Sequence, residues 1–205
     1  MYCIGIAGRS GSGKTRVAAE LVRLWPQARV LATDAYYRDL SQLSVAERGA
    51  VNFDAPAALD WELLVADLAR LRSGASVRVP RYDFATHTRM PEPAPLAPGD
   101  GLIVEGLFAL FDRRVREMLD LAVFIDAPEE ECLRRRIERD IACRGRTEAF
   151  ARAQWERHSA PMYERHVSPT KAYADLFLDG TAEPAGSARS VADAVARVAT
   201  APGER

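Results

Sequence analysis

The feature that most constrains the fold is a short glycine-rich segment near the start of the chain. Residues 8–15 read Gly-Arg-Ser-Gly-Ser-Gly-Lys-Thr, which matches the pattern G-x-x-x-x-G-K-[ST] at every fixed position. An apolar run at residues 2–7 precedes the segment, and a helical apolar pattern covers residues 13–24. A strand, a glycine-rich loop and a helix in this order are typical of a phosphate-binding loop, or P-loop.

Each residue type in this loop has a chemical role. Glycines let backbone N–H groups curl around phosphates, the Lys14 ammonium is a compact charge for the β- and γ-phosphate oxygens, and the Thr15 hydroxyl can ligate Mg²⁺. The pattern therefore predicts a nucleotide triphosphate site made by Gly8, Ser10, Gly11, Ser12, Gly13, Lys14 and Thr15.

Strand and helix patterns alternate along the rest of the chain. Strands are predicted at residues 2–7, 30–33, 102–105, 121–125 and 175–178, and helices at residues 13–24, 60–71, 129–143, 148–166 and 187–199. This alternation predicts an α/β fold of the P-loop type, in which helices flank a mostly parallel sheet. We expect a single domain over residues 1–205, with a β-hairpin insert at about residues 76–100.

Composition excludes several partners. The formal net charge is −1, so the chain lacks the basic field that holds nucleic acid. No apolar run is long enough to span a membrane, and three cysteines with no paired spacing predict neither a disulfide framework nor a zinc site. We expect a cytoplasmic protein with a small-molecule partner.

Nucleotide binding alone leaves several functions open. A GTPase switch would carry N-K-x-D for guanine, and that tetrapeptide is absent. A nonenzymatic nucleotide-gated adaptor would leave the polar motifs downstream of the loop without a role. These motifs favour a kinase, in which a second substrate accepts the phosphoryl group.

Two acidic residues follow predicted strands beside the loop. Asp34, at the carboxyl end of its strand, is placed to accept the proton of an attacking hydroxyl; a helix cap or a ligand of Mg²⁺-bound water are the alternatives. Glu105 ends an apolar strand where a carboxylate can hold Mg²⁺ through water, and the alternative is an ordinary acidic strand end.

The downstream motifs, in their order and spacing, resemble the uridine kinase (uridine-cytidine kinase) family over about residues 2–180. They are D-A-Y-Y-R at 34–38, N-F-D-A-P at 52–56, P-R-Y-D-F-A-T-H-T-R at 80–89, I-V-E-G at 103–106, R-D at 139–140, R-G-R at 144–146, Gln154, and P-T-K-A-Y-A-D at 169–175. The resemblance implies transfer of the γ-phosphate of ATP or GTP, with Mg²⁺, to the 5′-hydroxyl of uridine or cytidine by a homotetramer. Phosphoribulokinase, pantothenate kinase and nicotinamide riboside kinase share the loop and the early aspartate, so another small alcohol stays open as acceptor.

The resemblance also implies roles for single residues. Asp54 would bind the ribose hydroxyls, unless it only caps a helix near Pro56. Tyr82 and His87 would recognise the pyrimidine edge. Other residues implied to contact the nucleoside are Tyr37, Arg89, Arg136 and Gln154.

Six arginines lie within thirteen residues, at positions 134, 135, 136, 139, 144 and 146. Acidic residues precede them on the same predicted helix, so a favourable interaction with the helix dipole is one explanation. A lid over the triphosphate, at about residues 134–150, is the other, and it would use Arg139, Arg144 and Arg146 on the phosphates. The chain departs from the family pattern at Arg9, which could touch a phosphate or point outward, and at Ala55.

Overall fold

The structure, a computed structural model, describes residues 1–200 of the chain and the side chains of residues 1–198. Its nine strands are β1 (Tyr2–Gly8), β2 (Ala28–Ala32), β3 (Val77–Val79), β4 (Tyr82–Asp83), β5 (Thr88–Arg89), β6 (Ala94–Leu96), β7 (Gly101–Glu105), β8 (Leu121–Asp126) and β9 (Leu176–Asp179). Five of them form one parallel sheet in the order β2-β7-β1-β8-β9. The predicted α/β class is confirmed.

The helices are α1 (Lys14–Leu24), α2 (Val45–Ala50), α3 (Trp61–Arg72), α4 (Arg113–Arg116), α5 (Glu129–Arg144), α6 (Glu148–Gln154), α7 (Ala160–Met162) and α8 (Pro184–Thr200). Four start at side-chain caps: the Ser44 side chain accepts the Glu47 N–H at α2, Asp60 the Leu63 N–H at α3, Asp112 the Arg114 N–H at α4, and Thr147 the Phe150 N–H at α6. No described helix has the length and apolar character needed to cross a lipid bilayer.

The central strands bury both faces, as parallel strands between two helical layers must. Along β1, Cys3 belongs to one hydrophobic core and Ile4 to the other, because successive side chains of a strand point to opposite faces. Helix α3 covers one face, while α1 and α8 pack together on the other. The sheet is therefore a rigid platform whose carboxyl edge lies between the two layers.

Four observed elements differ from the predicted ones. The strand predicted at 30–33 is β2, and a 3₁₀ turn, Thr33–Tyr36, follows it. The predicted hairpin consists of two antiparallel pairs, an outer one of β3 with β6 and an inner one of β4 with β5. The helix predicted at 148–166 is interrupted by two π-helical turns, Trp155–Ser159 and Tyr163–Val167. The last predicted helix lies within α8.

Parallel pairing brings three chain segments to one edge of the sheet. Glu105, the last residue of β7, is the register partner of both Ala32 in β2 and Ile6 in β1. The glycine-rich loop after β1 and the turn after β2 therefore begin beside Glu105. This edge is where ligands bind in open parallel sheets.

Candidate active site

A cavity of about 440 Å³ lies at the carboxyl edge of the sheet. It is lined by residues of the glycine-rich loop, the segments after β2 and β7, the inner hairpin, and helices α5 and α6. All the predicted site residues except Gly8, Ser12 and Arg89 line it: Ser10, Gly11, Gly13, Lys14, Thr15, Asp34, Tyr37, Asp54, Tyr82, His87, Glu105, Arg136, Arg139, Arg144, Arg146 and Gln154. Gly8 and Ser12 are buried members of the loop.

The glycine-rich loop needs glycine at position 11. Gly11 has φ +85°, and a Cβ atom built there would lie 2.2 Å from the carbonyl oxygen of Cys132 in α5. The loop thus packs directly on the backbone of α5, and Gly13 leads it into α1. No side chain caps the start of α1, and its first residues line the cavity, so this helix N-terminus favours an anion there.

Lys14 is buried and its ammonium is held by the loop itself. Its Nζ donates to the carbonyl oxygens of Gly8 and Arg9, each at 2.9 Å. Burial lowers the pKa of Lys14, and the nearby carboxylates Glu105 and Asp34 oppose this shift. The ammonium is thereby fixed beside the place that the loop offers to a phosphate.

Thr15 and Glu105 supply oxygen atoms on the other side of the loop. The Thr15 hydroxyl donates to Oε1 of Glu105 at 3.2 Å, and burial raises the pKa of Glu105, an effect that Lys14 opposes. A buried carboxylate beside a hydroxyl fits Mg²⁺, which takes few protein oxygens and completes its shell with water and phosphate. Among residues 1–200 there is no group of three or more His, Cys, Asp or Glu side chains that would hold a metal by themselves.

Asp34 lies in the 3₁₀ turn after β2 and faces the cavity. The helix-cap alternative is wrong, because the residue before this turn is Ala32 and no side chain caps it. With the described residues, the Asp34 carboxylate makes no hydrogen bond or ion pair. Of the acidic residues among 1–200 that line the cavity, it is the one with both oxygens free of protein partners.

The aromatic side of the cavity, which we call the acceptor wall, consists of Tyr37, Phe53, Tyr82, Phe84 and His87. The Tyr37 ring centroid lies 5.6 Å from that of Phe53 and 5.3 Å from that of Tyr82. The Tyr82 hydroxyl is buried without a hydrogen-bond partner among the described residues. Such a group is costly unless a ligand pairs with it.

His87 stacks on Phe53, with 4.2 Å between ring centroids and 11° between ring planes. Arg146 Nη2 lies 3.2 Å from His87 Nε2. Arginine only donates, so Nε2 accepts and the neutral ring carries its proton on Nδ1. Nδ1 is buried without a partner in residues 1–200. Burial, and then the charge of Arg146, lower the pKa of His87 to about 4.

Arg89, a secondary candidate from the sequence, does not line the cavity. Its guanidinium donates to the Tyr37 carbonyl oxygen at 2.9 Å and pairs with Asp60 at 3.1 Å. Arg89 therefore supports the acceptor wall from behind.

Asp54 sits between the acceptor wall and helix α5. Its carboxylate accepts from the Ser159 hydroxyl at 2.6 Å and from Arg136 Nη1 at 3.4 Å. The helix-cap alternative is wrong here as well, because Ala55 precedes the turn that begins at Pro56 and no side chain caps it. Two donors hold this carboxylate at the cavity surface.

Four arginines, three in α5 and one just after it, converge on one carboxylate. Asp140 is fully buried, and its oxygens lie 3.1 Å from Arg139, 3.3 Å from Arg144, 3.6 Å from Arg146 and 3.7 Å from Arg136. Burial, and then the charge of Arg139, lower the pKa of Arg144. All four guanidinium groups line the cavity opposite the phosphate loop.

Arg9, the unusual residue of the loop, does neither of the things expected of it. Its guanidinium lies 3.7 Å from the Tyr163 ring centroid and pairs with Glu129 at 3.1 Å and Glu164 at 3.0 Å. Only 7% of Arg9 is exposed. It anchors the loop to the helical segment that follows α6, away from the cavity.

Comparison with known proteins identifies the family. The sequence profile of the Phosphoribulokinase / Uridine kinase family matches residues 3–184. The chain belongs to this family. It is 42% identical over 181 residues to the uridine kinase of Shewanella amazonensis, covering 85% of each chain. It is 42% identical over 177 residues to that of Brevibacillus brevis, covering 85% of this chain and 83% of the other.

A solved structure shares the fold at much lower sequence identity. Phosphoribulokinase from Rhodobacter spheroides superposes with a TM-score of 0.66 at 16% identity, covering 90% of this chain and 73% of that one. The family fold is therefore retained while most side chains differ.

Four residues of the site, Phe53, Phe84, Asp140 and Ser159, were not predicted as such. Asp140 had a signal, because Arg136, Asp140 and Arg144 recur every four residues and so share one helix face. Phe53 and Phe84 lay in quoted motifs, although nothing in the sequence distinguished a ring of the site from a core ring. Ser159 had no signal, because its direction depends on the π-helical turn Trp155–Ser159.

Proposed function

We propose that the protein is a uridine kinase that transfers the γ-phosphate of a nucleoside triphosphate to the 5′-hydroxyl of uridine. The observation that carries the proposal is one cavity with two chemically distinct sides. The phosphate loop, the arginines and an aromatic wall all line it, and on that wall the Tyr82 hydroxyl and His87 Nδ1 have no hydrogen-bond partner among the described residues. The relatives named uridine kinase support the same acceptor.

On the donor side, the loop N–H groups, Lys14 and the arginines of α5 would bind the triphosphate of ATP or GTP. Mg²⁺ would be held by Thr15 and Glu105, and when bound it neutralises charge on the phosphates. Arg139, Arg144 and Arg146 would add positive charge at the transferred group, as part of a lid at about residues 134–150.

On the acceptor side, Phe53 and His87 would contact the base, with His87 Nδ1–H donating to an acceptor on its edge and the Tyr82 hydroxyl pairing beside it. Asp54, with Arg136 and Gln154, would bind the ribose. Asp34 would orient the 5′-hydroxyl toward the γ-phosphate and accept its proton. Cytidine as a second acceptor, a homotetramer and a cytoplasmic location are further predictions from the resemblance.

A coupled assay of ADP release tests the proposal. Purified protein with Mg·ATP is offered uridine, cytidine, adenosine, nicotinamide riboside, ribulose 5-phosphate and pantothenate in parallel. We expect the highest kcat/KM with uridine or cytidine. A higher value with one of the last three compounds would assign another alcohol as acceptor, and binding of ATP without turnover on any of them would favour a nucleotide-gated adaptor.

A further inference from the structure

Asp140 is a buried carboxylate with no place in the reaction described so far. None of it is exposed, and it does not line the cavity. A lone buried charge is costly, and here four guanidinium groups compensate it. All four groups also line the cavity.

The main chain of Asp140 is part of the same arrangement. Its carbonyl oxygen accepts the N–H of Gly145, which ends α5 in the left-handed conformation with φ +63°, and the N–H of Arg146 at 3.1 Å. The carboxylate therefore reaches Arg136 and Arg144 along the helix, and the carbonyl fixes the turn that directs Arg146 back toward it. Asp140 therefore orients arginines within α5 and Arg146 just after it.

Four guanidinium groups in one place repel one another. Without a counter-charge, the arginine side chains would adopt conformations that separate the guanidinium groups. Each side chain would then have to be reordered for every phosphoryl transfer. One carboxylate uses only part of the five donors that each guanidinium carries, so the remaining N–H groups can serve a ligand.

We propose that Asp140 is the positioning residue that holds Arg139, Arg144 and Arg146 in place for the transferred phosphoryl group. The proposal rests on the proposed kinase function. Asp140 itself touches no substrate. It acts by preorganising charges, which lowers the barrier without strengthening ground-state binding.

Asp140→Asn tests this, because it keeps the shape and removes the charge. We expect kcat for uridine phosphorylation to fall by about 10-fold to 100-fold, somewhat less than the loss of a preorganised donor itself. ATP affinity, measured by calorimetry without uridine, should stay equal or increase, because the site gains one net positive charge. A merely structural role would not predict a fall in kcat with an equal or increased ATP affinity.

Two further variants complete the experiment. Asp140→Glu keeps the charge and moves it by one methylene group, so its kcat should fall between those of the wild type and Asp140→Asn. Asp67→Asn is the matched control: Asp67 is a buried carboxylate of α3 that accepts from the Tyr36 hydroxyl at 2.9 Å, outside the cavity. It should lower the unfolding temperature and leave kcat unchanged.

Three results would overturn the proposal: a wild-type kcat in Asp140→Asn, a parallel loss of ATP affinity and kcat, or the same kinetic change in Asp67→Asn. If Asp140→Asn does not fold, a wild-type kcat in Asp140→Glu overturns it and a reduced kcat with retained ATP affinity supports it. If the wild type binds ATP but does not phosphorylate uridine, the proposed function fails instead. In that case the ATP affinity of Asp140→Asn tests the positioning role of Asp140, and weaker ATP binding than in the wild type would overturn that role.

Discussion

The two sides of the cavity differ in whether their polar side chains have hydrogen-bond or ion-pair partners within the protein. On the donor side, Lys14 bonds to loop carbonyls, Thr15 to Glu105, and Arg139 and Arg144 pair with Asp140. On the acceptor wall, Tyr82 and His87 each keep a buried polar atom that no described residue satisfies. A triphosphate must therefore share or displace protein contacts, whereas a nucleoside supplies contacts that the protein lacks. This difference suggests that donor-side residues mainly affect turnover, and acceptor-wall residues mainly affect which alcohol binds.

Asp34 lies between the two sides, and its removal should have the largest effect. Asp34→Asn keeps the shape and a hydrogen bond to the hydroxyl but cannot take its proton. We expect kcat to fall by about 10²–10⁴ while the affinities for uridine and Mg·ATP stay within a few-fold. A loss near the lower end fits a loose transition state. Calorimetry of both ligands and steady-state rates would measure these quantities. If Mg·ATP binding is lost while turnover at saturating nucleotide is preserved, Asp34 is a metal ligand and not the base.

Among the described residues, Arg146 is the one donor-side residue that bonds to a predicted base-recognition residue, His87. Its removal should therefore affect both turnover and the binding of uridine. Arg146→Ala should lower kcat by about 10² and also raise KM for uridine, because His87 loses the donor that fixes its proton on Nδ1. Arg139→Ala is the matched variant, since Arg139 pairs with Asp140 and, among residues 1–200, with nothing on the acceptor wall. It should lower kcat to a similar extent at unchanged uridine KM. Equal uridine KM values in the two variants would contradict the link between the sides.

His87 should affect the acceptor alone. Its backbone is left-handed, with φ +57°, and Asn tolerates that conformation better than other side chains do, so His87→Asn removes the ring with little backbone strain. We expect KM for uridine to rise by about 10-fold, as for the loss of one buried hydrogen bond, and KM for ATP to stay constant. His166→Asn serves as control, because His166 packs on Phe111 outside the cavity. A similar rise of both KM values in His87→Asn would argue against base recognition.

The smallest expected effect concerns the pH dependence of folding. Burial and the neighbouring arginines lower the pKa of His87 from 6.5 to about 4. Between these values the unfolded chain binds a proton that the folded chain does not, so His87 reduces the free energy of unfolding as the pH falls through this window. In His87→Asn this part of the loss should vanish. Urea unfolding at pH 7.5 and pH 5 would measure it, and an identical pH dependence in both proteins would contradict the shifted pKa.

The sequence predicted the order of strands and helices well, because strand and helix periodicities are local properties. The glycine-rich loop, Asp34 and Glu105 could be placed at one sheet edge because parallel pairing brings strand ends together. The direction of Arg9 could not be predicted, since its partners Glu129 and Glu164 lie more than a hundred residues away in the chain. The arginines around Asp140 were assigned to a helix end or a lid, and Asp140 received no role, although its four-residue spacing from Arg136 and Arg144 places it on their helix face.

The order of the chain also bears on how such an enzyme evolves. Every acceptor-wall residue comes from residues 33–100, the stretch between β2 and β7, and those two strands are neighbours in the sheet. Both ends of the stretch are thus anchored on one strand pair. Recombination between relatives can exchange it as a unit and leave the phosphate loop unchanged. The incoming stretch would have to keep its contacts with α5 and the turn after it. In this chain those contacts are Asp54 with Arg136, Phe84 with Arg144, and His87 with Arg146.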